Sequence, residues 1–240
     1  MPSSTFTLLE AAKLLQNTRN DIKHGTLGAH LARVSEKGKH VDAGLTHDNK
    51  LVITGSDSWQ DYMMYNLRPL RPLPKMPEID LLTTSDLPKN AFHKGFLLHA
   101  ARVRRFLGKH QPDFVVGHSL GAAAAQILGT ALGVPTICLA SPQVVKRRFL
   151  EAASLRAKDH PQWAVFNLAW NKDFVTRGYR LTGLRCLGHR VVVDTKEANF
   201  GIDHFVKDYE KLIIKAAAYK IAALPQHWPD SNFEGPTRLA

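Results

Sequence analysis

Phe114-Val115-Val116-Gly117-His118-Ser119-Leu120-Gly121-Ala122-Ala123-Ala124-Ala125 is the stretch that decides the fold. The short apolar run from Phe114 to Val116 reads as a buried strand, and the alanine-rich segment after Gly121 reads as a helix. Between them stands Gly-x-Ser-x-Gly. With a strand before it and a helix after it, this motif carries its serine at the tip of a sharp turn, and the flanking glycines let strand and helix pass close together. The plainer alternative is a Gly-rich turn whose Ser119 only caps the helix. Motif and context taken together favour the first reading.

Working outward, 240 residues of which 44% are hydrophobic are enough for one large core, and α/β folds commonly run this long as one domain. We find no internal repeat and no low-complexity linker, so a single domain spanning residues 1–240 is expected. Lys and Arg number 32 against 21 Asp and Glu, a formal charge of +11. The positive charge is scattered, with modest clusters at Arg102/Arg104/Arg105/Lys109 and Lys146/Arg147/Arg148. Clusters of that size read as solvated helix faces, which argues against nucleic acid as a partner. Attraction to an anionic surface such as phospholipid is the more useful reading of the charge. Cys138 and Cys186 are too few for a disulfide framework. The apolar segment Leu8–Leu15 is broken by Glu10 and Lys13, unlike a secretory leader, and no run approaches a membrane span. A cytoplasmic, reducing location is the resulting expectation.

Thr7-Leu8-Leu9-Glu10 is a capping-box pattern and predicts a helix over 8–17. Residues 41–45 and 51–54 predict two strands joined by the polar loop Thr46-His47-Asp48-Asn49-Lys50. Ser58, with Asp61 three residues on, is a candidate cap for a short helix. Residues 63–90 include Arg68-Pro69-Leu70-Arg71-Pro72-Leu73-Pro74-Lys75-Met76-Pro77, where successive prolines forbid regular helix. This region reads as a long connection over one face, either a passive loop or a lid and pocket wall. A helix is predicted from His93 to Leu107 with Gly108 as its cap, and another from Ser119 to Leu132 ended by Gly133. Strands follow at 136–140 and 163–168, with a basic helix over 144–157 between them. One or two strands fall within 184–193, with a hairpin around Gly188 as one form, then a helix over 203–223 and an irregular tail after Leu224. Strands alternating with helices predict a mostly parallel sheet covered on both faces.

A serine hydroxyl needs a general base in reach, and the base needs an acid that fixes its tautomer. In the α/β-hydrolase architecture these follow in the order Ser, Asp or Glu, His. His204, in Phe200-Gly201-Ile202-Asp203-His204 before an apolar helix, fits the base best; His189, within an apparent strand, fits less well. His118 adjoins the serine but should point away from it. Asp173, after the strand ending near Leu168, is the first candidate acid, and Asp194 is the second. Two donors are needed for a developing oxyanion: the N–H of Leu120, and the loop at Gly55-Ser56, where the Ser56 hydroxyl could add a third bond.

These residues together resemble the class 3 lipases, the fungal-type triacylglycerol lipases of the α/β-hydrolase fold. Leu51-Val52-Ile53-Thr54-Gly55-Ser56 with Trp59 is similar to the family's oxyanion strand and loop, and His93-Lys94-Gly95-Phe96 to its H-x-G-F segment. Gly117–Ala123 is similar to its elbow, Leu139-Ala140-Ser141-Pro142 to its G-S-P strand end, Asn171-Lys172-Asp173-Phe174-Val175 to its acid motif, and Asp203-His204 to its histidine motif. The resemblance spans about residues 41–209. It implies Ser119, Asp173 and His204 as a triad with Ser56 and Leu120 as oxyanion donors, the same residues chosen above. This chain departs at the oxyanion loop, Thr54-Gly55-Ser56 in place of Arg-Gly-Thr, and in its Pro- and Arg-rich connection, which favours a smaller ester or a phospholipid over an oil droplet. The expectation is a serine carboxylic-ester hydrolase of lipase or esterase type that requires no metal or organic cofactor. A phospholipase, acyltransferase or amidase would use the same residues. An inactive hydrolase fold that binds anionic lipid or nucleic acid is the alternative of a different class.

Overall fold

The computed structural model describes residues 6–35, 41–55, 72–156, 164–171, 173, 176, 183–194, 204–219, 224–225 and 227–230. In chain order the strands are β1 (Phe6–Thr7), β2 (Leu31–Val34), β3 (Ala43–Thr46), β4 (Lys50–Ile53), β5 (Phe114–His118), β6 (Thr136–Leu139), β7 (Val145–Lys146), β8 (Val165–Trp170), β9 (Leu184–Arg185), β10 (His189–Val193) and β11 (His227–Trp228). The helices are α1 (Leu8–His24), α2 (Pro77–Leu81), α3 (Lys94–Leu107), α4 (Leu120–Leu132), α5 (Arg147–Arg156) and α6 (Val206–Tyr219).

A seven-stranded sheet runs in the order β10-β8-β6-β5-β4-β3-β2. Its pairs from β10 to β4 are parallel, and β4–β3 and β3–β2 are antiparallel. The elbow strand β5 is therefore the middle of the sheet. Its neighbours bury it on both faces, which is why its sequence is a continuous apolar run rather than an alternating one. Side-chain alternation still sorts the residues into two cores. Leu51, Ile53, Val115 and Cys138 face α3 and α4. Val52, Phe114, Val116, Ile137, Leu139, Phe166 and Leu168 face α1 and α6. The fold is the expected α/β architecture, a mostly parallel sheet with helices on both sides.

Asn167 of β8 is a fully buried polar residue inside this apolar lattice. The Asn167 amide donates to Leu187 O at 2.6 Å and His189 O at 3.1 Å, and its oxygen accepts from Ser141 Oγ at 2.8 Å. Gln126 donates to Ser141 Oγ and Pro142 O and accepts from Leu187 N–H. Every partner in this network is satisfied, so it ties β8, α4 and the 184–189 segment together without the cost of an unpaired buried group.

Four expectations need correction. The helix predicted over 8–17 runs to His24. Its capping box forms as expected, with Glu10 N–H donating to Thr7 Oγ1 at 3.0 Å, but Gly25 in the left-handed conformation is its stop. Polar Asn17–Asn20 hid this continuation; Thr18 is in fact buried and Gln16 donates to Asn20. Strand β2 was not predicted, because only Leu31 of its four residues is buried and an edge strand shows little pattern. No hairpin forms around Gly188: β10 pairs parallel with β8, while β9 pairs antiparallel with β7. Beyond Leu224 the tail is not wholly irregular, since β11 pairs with β1.

The end of the Pro-rich connection is anchored. Pro77 opens α2, and Ile79, Leu82 and Leu87 are buried in the core on the α3 side. Glu78 accepts both Nε and Nη2 of Arg105, at 2.9 and 3.1 Å. Residues 63–71 of the connection, the candidate cap at Ser58 and Asp61, and the start of the last helix at Asp203 lie outside the described residues.

Candidate active site

The carboxyl ends of β4, β5, β8 and β10 open on one edge of the sheet, where ligand sites of open α/β sheets form. At the end of β5 the chain turns at Ser119, with φ 56° and ψ −122°, and enters α4 directly. A non-glycine residue in that region costs about 1–3 kcal/mol and persists only where the surroundings fix it. They do so here by close approach. A methyl group at Gly121 would lie 2.2 Å from Ile53 O, and one at Gly117 would lie 2.6 Å from both Ala125 Cβ and Gly121 O. The two glycines of the motif thus let α4 lie against β4 and β5. Ser119 N–H donates to Leu139 O at 3.0 Å, which ties the turn to β6.

His204 reaches this turn from the segment before α6. Its Nδ1 is 2.8 Å from Asp173 Oδ2 and its Nε2 is 2.5 Å from Ser119 Oγ. A carboxylate can only accept, so Nδ1 carries the proton and Nε2 is left to accept from the serine hydroxyl. Asp173, three residues beyond the end of β8, is enclosed, with a side chain 0% exposed, while the His204 side chain is 20% exposed. The structure therefore brings Ser119, His204 and Asp173, named from the sequence, into one hydrogen-bonded row.

The rival candidates lie elsewhere. Asp194, at the end of β10, accepts from the Asn171 side-chain amide. His189 begins β10 and packs against Trp228 with ring centroids 5.6 Å apart, and burial lowers its proton affinity. His118 is buried beside His204, with centroids 5.2 Å apart. Neither of its ring nitrogens has a hydrogen-bond partner among the described residues. Burial first, then the charges of His204 and Arg19, hold it well below the usual imidazole range; the backbone of His204 acts weakly the other way without completing a bond. His118 is accordingly neutral.

Two supporting residues were not found from the sequence. Tyr209 on α6 donates its hydroxyl to Asp173 Oδ2 at 2.8 Å and accepts from Trp170 N–H at 3.2 Å. Burial, then the Asp173 carboxylate, pushes its phenol well above the ordinary range, so it stays a donor. Thr176 N–H reaches Asp173 Oδ1 at 3.4 Å, and its hydroxyl donates to Asp173 O at 3.0 Å and Trp170 O at 3.1 Å. Tyr209 reads in sequence as one more aromatic on the inner face of an amphipathic helix. Its place one turn after a candidate histidine was the available signal.

Leu120 is the first residue of α4, where helix N–H groups lack intrahelical acceptors and the dipole favours negative charge. Gly55, which leads into the other proposed donor loop, comes so close that a methyl on it would lie 3.0 Å from Ser119 Cβ and 3.1 Å from His118 Nδ1. Ser56 itself, with Trp59, lies outside the described residues. Among the described residues no group of three or more His, Cys, Asp or Glu side chains is arranged to hold a metal ion, and no helix is long and apolar enough to cross a membrane.

No protein-family model matches the sequence, and no curated protein does. Solved structures do match by shape. Lip2 lipase from Yarrowia lipolytica superposes with a TM-score of 0.51 at 17% identity, over 80% of this chain and 82% of that one. The triacylglyceride lipase of Rhizomucor miehei superposes with a TM-score of 0.50 at 16% identity, over 79% of this chain and 82% of that one. At such identities the likeness is one of fold. The chain has the α/β-hydrolase fold of the fungal triacylglycerol lipases, the likeness that its ordered motifs carry in sequence.

Proposed function

We propose that this protein is a serine carboxylic-ester hydrolase of lipase or esterase type, with Ser119, His204 and Asp173 as its catalytic residues. The observation that carries the reading is the row Asp173 Oδ2···His204 Nδ1 and His204 Nε2···Ser119 Oγ at 2.8 and 2.5 Å, built on a strained turn. In this reading Ser119 Oγ attacks the acyl carbonyl carbon while His204 Nε2 takes its proton. The negative oxygen of the tetrahedral intermediate accepts from Leu120 N–H and from the loop after Gly55, Ser56 included. The C–O bond to the alcohol then breaks, His204 returns the proton to the leaving alkoxide, and Ser119 keeps the acyl group. Water, deprotonated by His204, repeats the sequence and releases the acid. Asp173 holds the imidazole tautomer throughout and stabilises the imidazolium; Tyr209 and Thr176 orient Asp173. The residues required are all supplied by the chain, so the reaction as written calls for no cofactor.

A lipid or smaller ester is the substrate class, supported by the fold shared with triacylglycerol lipases. Fluorophosphonate labelling tests the reading: the wild-type protein should be labelled and Ser119→Ala should not. Equal labelling of both, or none of the wild type, would sink it. Product analysis with added alcohol or lysophospholipid separates hydrolysis from acyl transfer.

A further inference from the structure

Phe205 follows His204 directly and is 46% exposed, a large apolar ring at the rim beside the one side chain of the catalytic row that is partly open. It is flanked by two cations. Arg19 Cζ from α1 lies 5.8 Å from the Phe205 ring centroid and Lys207 Nζ lies 5.4 Å from it. The outward positions of α6 continue the pattern. Lys207, Lys211 and Ile214 follow at intervals of four and three, so they share one face, and all are exposed; Ile214 is 50% exposed. Asp208 is buried on the opposite side. Glu210, three residues after Lys207 and four before Ile214, is half-buried on the edge of the same face; it is the one carboxylate set against Arg19, Lys207 and Lys211 among the described residues of α6.

Phe205 and Ile214 thus set exposed apolar surface among cations. An anionic bilayer rewards both parts: the apolar side chains enter the head-group and acyl boundary while the cations meet lipid phosphates. A nucleic-acid backbone would use the cations but leave Ile214 without an apolar partner. We infer that Phe205, Ile214, Arg19, Lys207 and Lys211 form a docking face for an anionic phospholipid bilayer. Seated there, the protein presents the Ser119–His204 pair to an acyl ester lying just beneath the head groups. The second half of this inference rests on the ester-hydrolase reading; the docking itself does not.

The test is co-sedimentation of the full chain with phosphatidylcholine vesicles and with equal mixtures of phosphatidylcholine and phosphatidylglycerol. Hydrolysis of a soluble short-chain p-nitrophenyl ester is measured in parallel. The wild type should partition to the anionic vesicles and be released by salt. Lys207→Glu should weaken binding by about tenfold, and Phe205→Ser by about fivefold or more, from the lost charge and apolar burial. Both variants change exposed side chains and should keep soluble-ester turnover. Ser119→Ala should bind vesicles as the wild type does. Equal partition to the two vesicle types, no partition at all, undiminished binding by Lys207→Glu, or displacement by duplex DNA at matched phosphate concentration overturns the docking face. Vesicle binding as described with no ester cleaved leaves the docking face standing and removes the hydrolase reading instead.

Discussion

Tyr209 Oη donates to the same Asp173 oxygen, Oδ2, that accepts from His204 Nδ1, and both distances are 2.8 Å. Helix α6 therefore supplies a residue that aims Asp173, while the segment just before it supplies His204. Tyr209→Phe removes the donor and leaves Trp170 N–H without its acceptor. The expected result is a loss of about 1–3 kcal/mol in urea denaturation, the cost of an unmet buried group. In addition kcat should fall by about tenfold, with KM little changed. An unaltered kcat would mean that the hydroxyl is only structural.

The two candidate acids can be separated by the same chemical change at each. Asp173→Asn replaces the acceptor of His204 Nδ1–H by an amide and favours the wrong tautomer, so kcat should drop by about 10³–10⁴-fold. Asp194→Asn alters a group bonded to Asn171 and should leave kcat within about twofold. Steady-state hydrolysis of a soluble ester by the purified variants decides it. Comparable losses at both positions would contradict the geometry.

His118 makes stability depend on pH. Its folded-state proton affinity is depressed, chiefly by burial, so the unfolded chain binds a proton that the folded chain refuses. The stability contributed by keeping it neutral is fully present above about pH 6.5, the ordinary imidazole value, and is lost as the pH falls below it. The slope from this one group approaches about 1.4 kcal/mol per pH unit. His118→Leu removes the titration, and the variant's denaturation midpoint should decline less steeply between pH 7 and pH 5 than that of the wild type. Parallel pH profiles of the two proteins would assign the dependence elsewhere, for example to His189.

Gly121 and Gly133 test two different uses of glycine. At Gly121 a methyl group would meet backbone, Ile53 O at 2.2 Å and Thr54 O at 2.6 Å, so β4 or α4 must move. Gly121→Ala should cost several kcal/mol, of the order of severe overpacking, and should abolish esterase activity. At Gly133 the need is a left-handed C-cap, φ 66°. Gly133→Ala there should cost only about 1 kcal/mol. Chemical denaturation of both variants makes the comparison.

What was legible in the sequence was what is repeated or spaced. The elbow, the hairpin between β3 and β4, and the inward face of α3 follow from patterns confined to neighbouring residues. Ser119, Asp173 and His204 could be named because each stands beside a recognisable strand end or helix start. Contacts between distant segments left no such mark. Tyr209 looks like a core aromatic until Asp173 is placed beside it. The partners of β9 and β10 depend on which sheet edge is free, and Gly188 marks a turn without saying where the chain goes next. Edge strand β2 shows one buried residue in four, too few for alternation to register.

The hydrogen-bonded row joins Ser119 to a histidine 85 positions later and to an acid 31 positions before that histidine. During synthesis, then, the serine and its turn exist well before the base that would activate it. A nascent chain that has folded β3 to β6 around α4 carries an inert hydroxyl. Reactivity toward esters, on the reading proposed above, would switch on only when α6 has left the ribosome and docked against α1, with Tyr209 arriving on the same helix. On that reading the chemistry waits for α6, however early the serine turn is made.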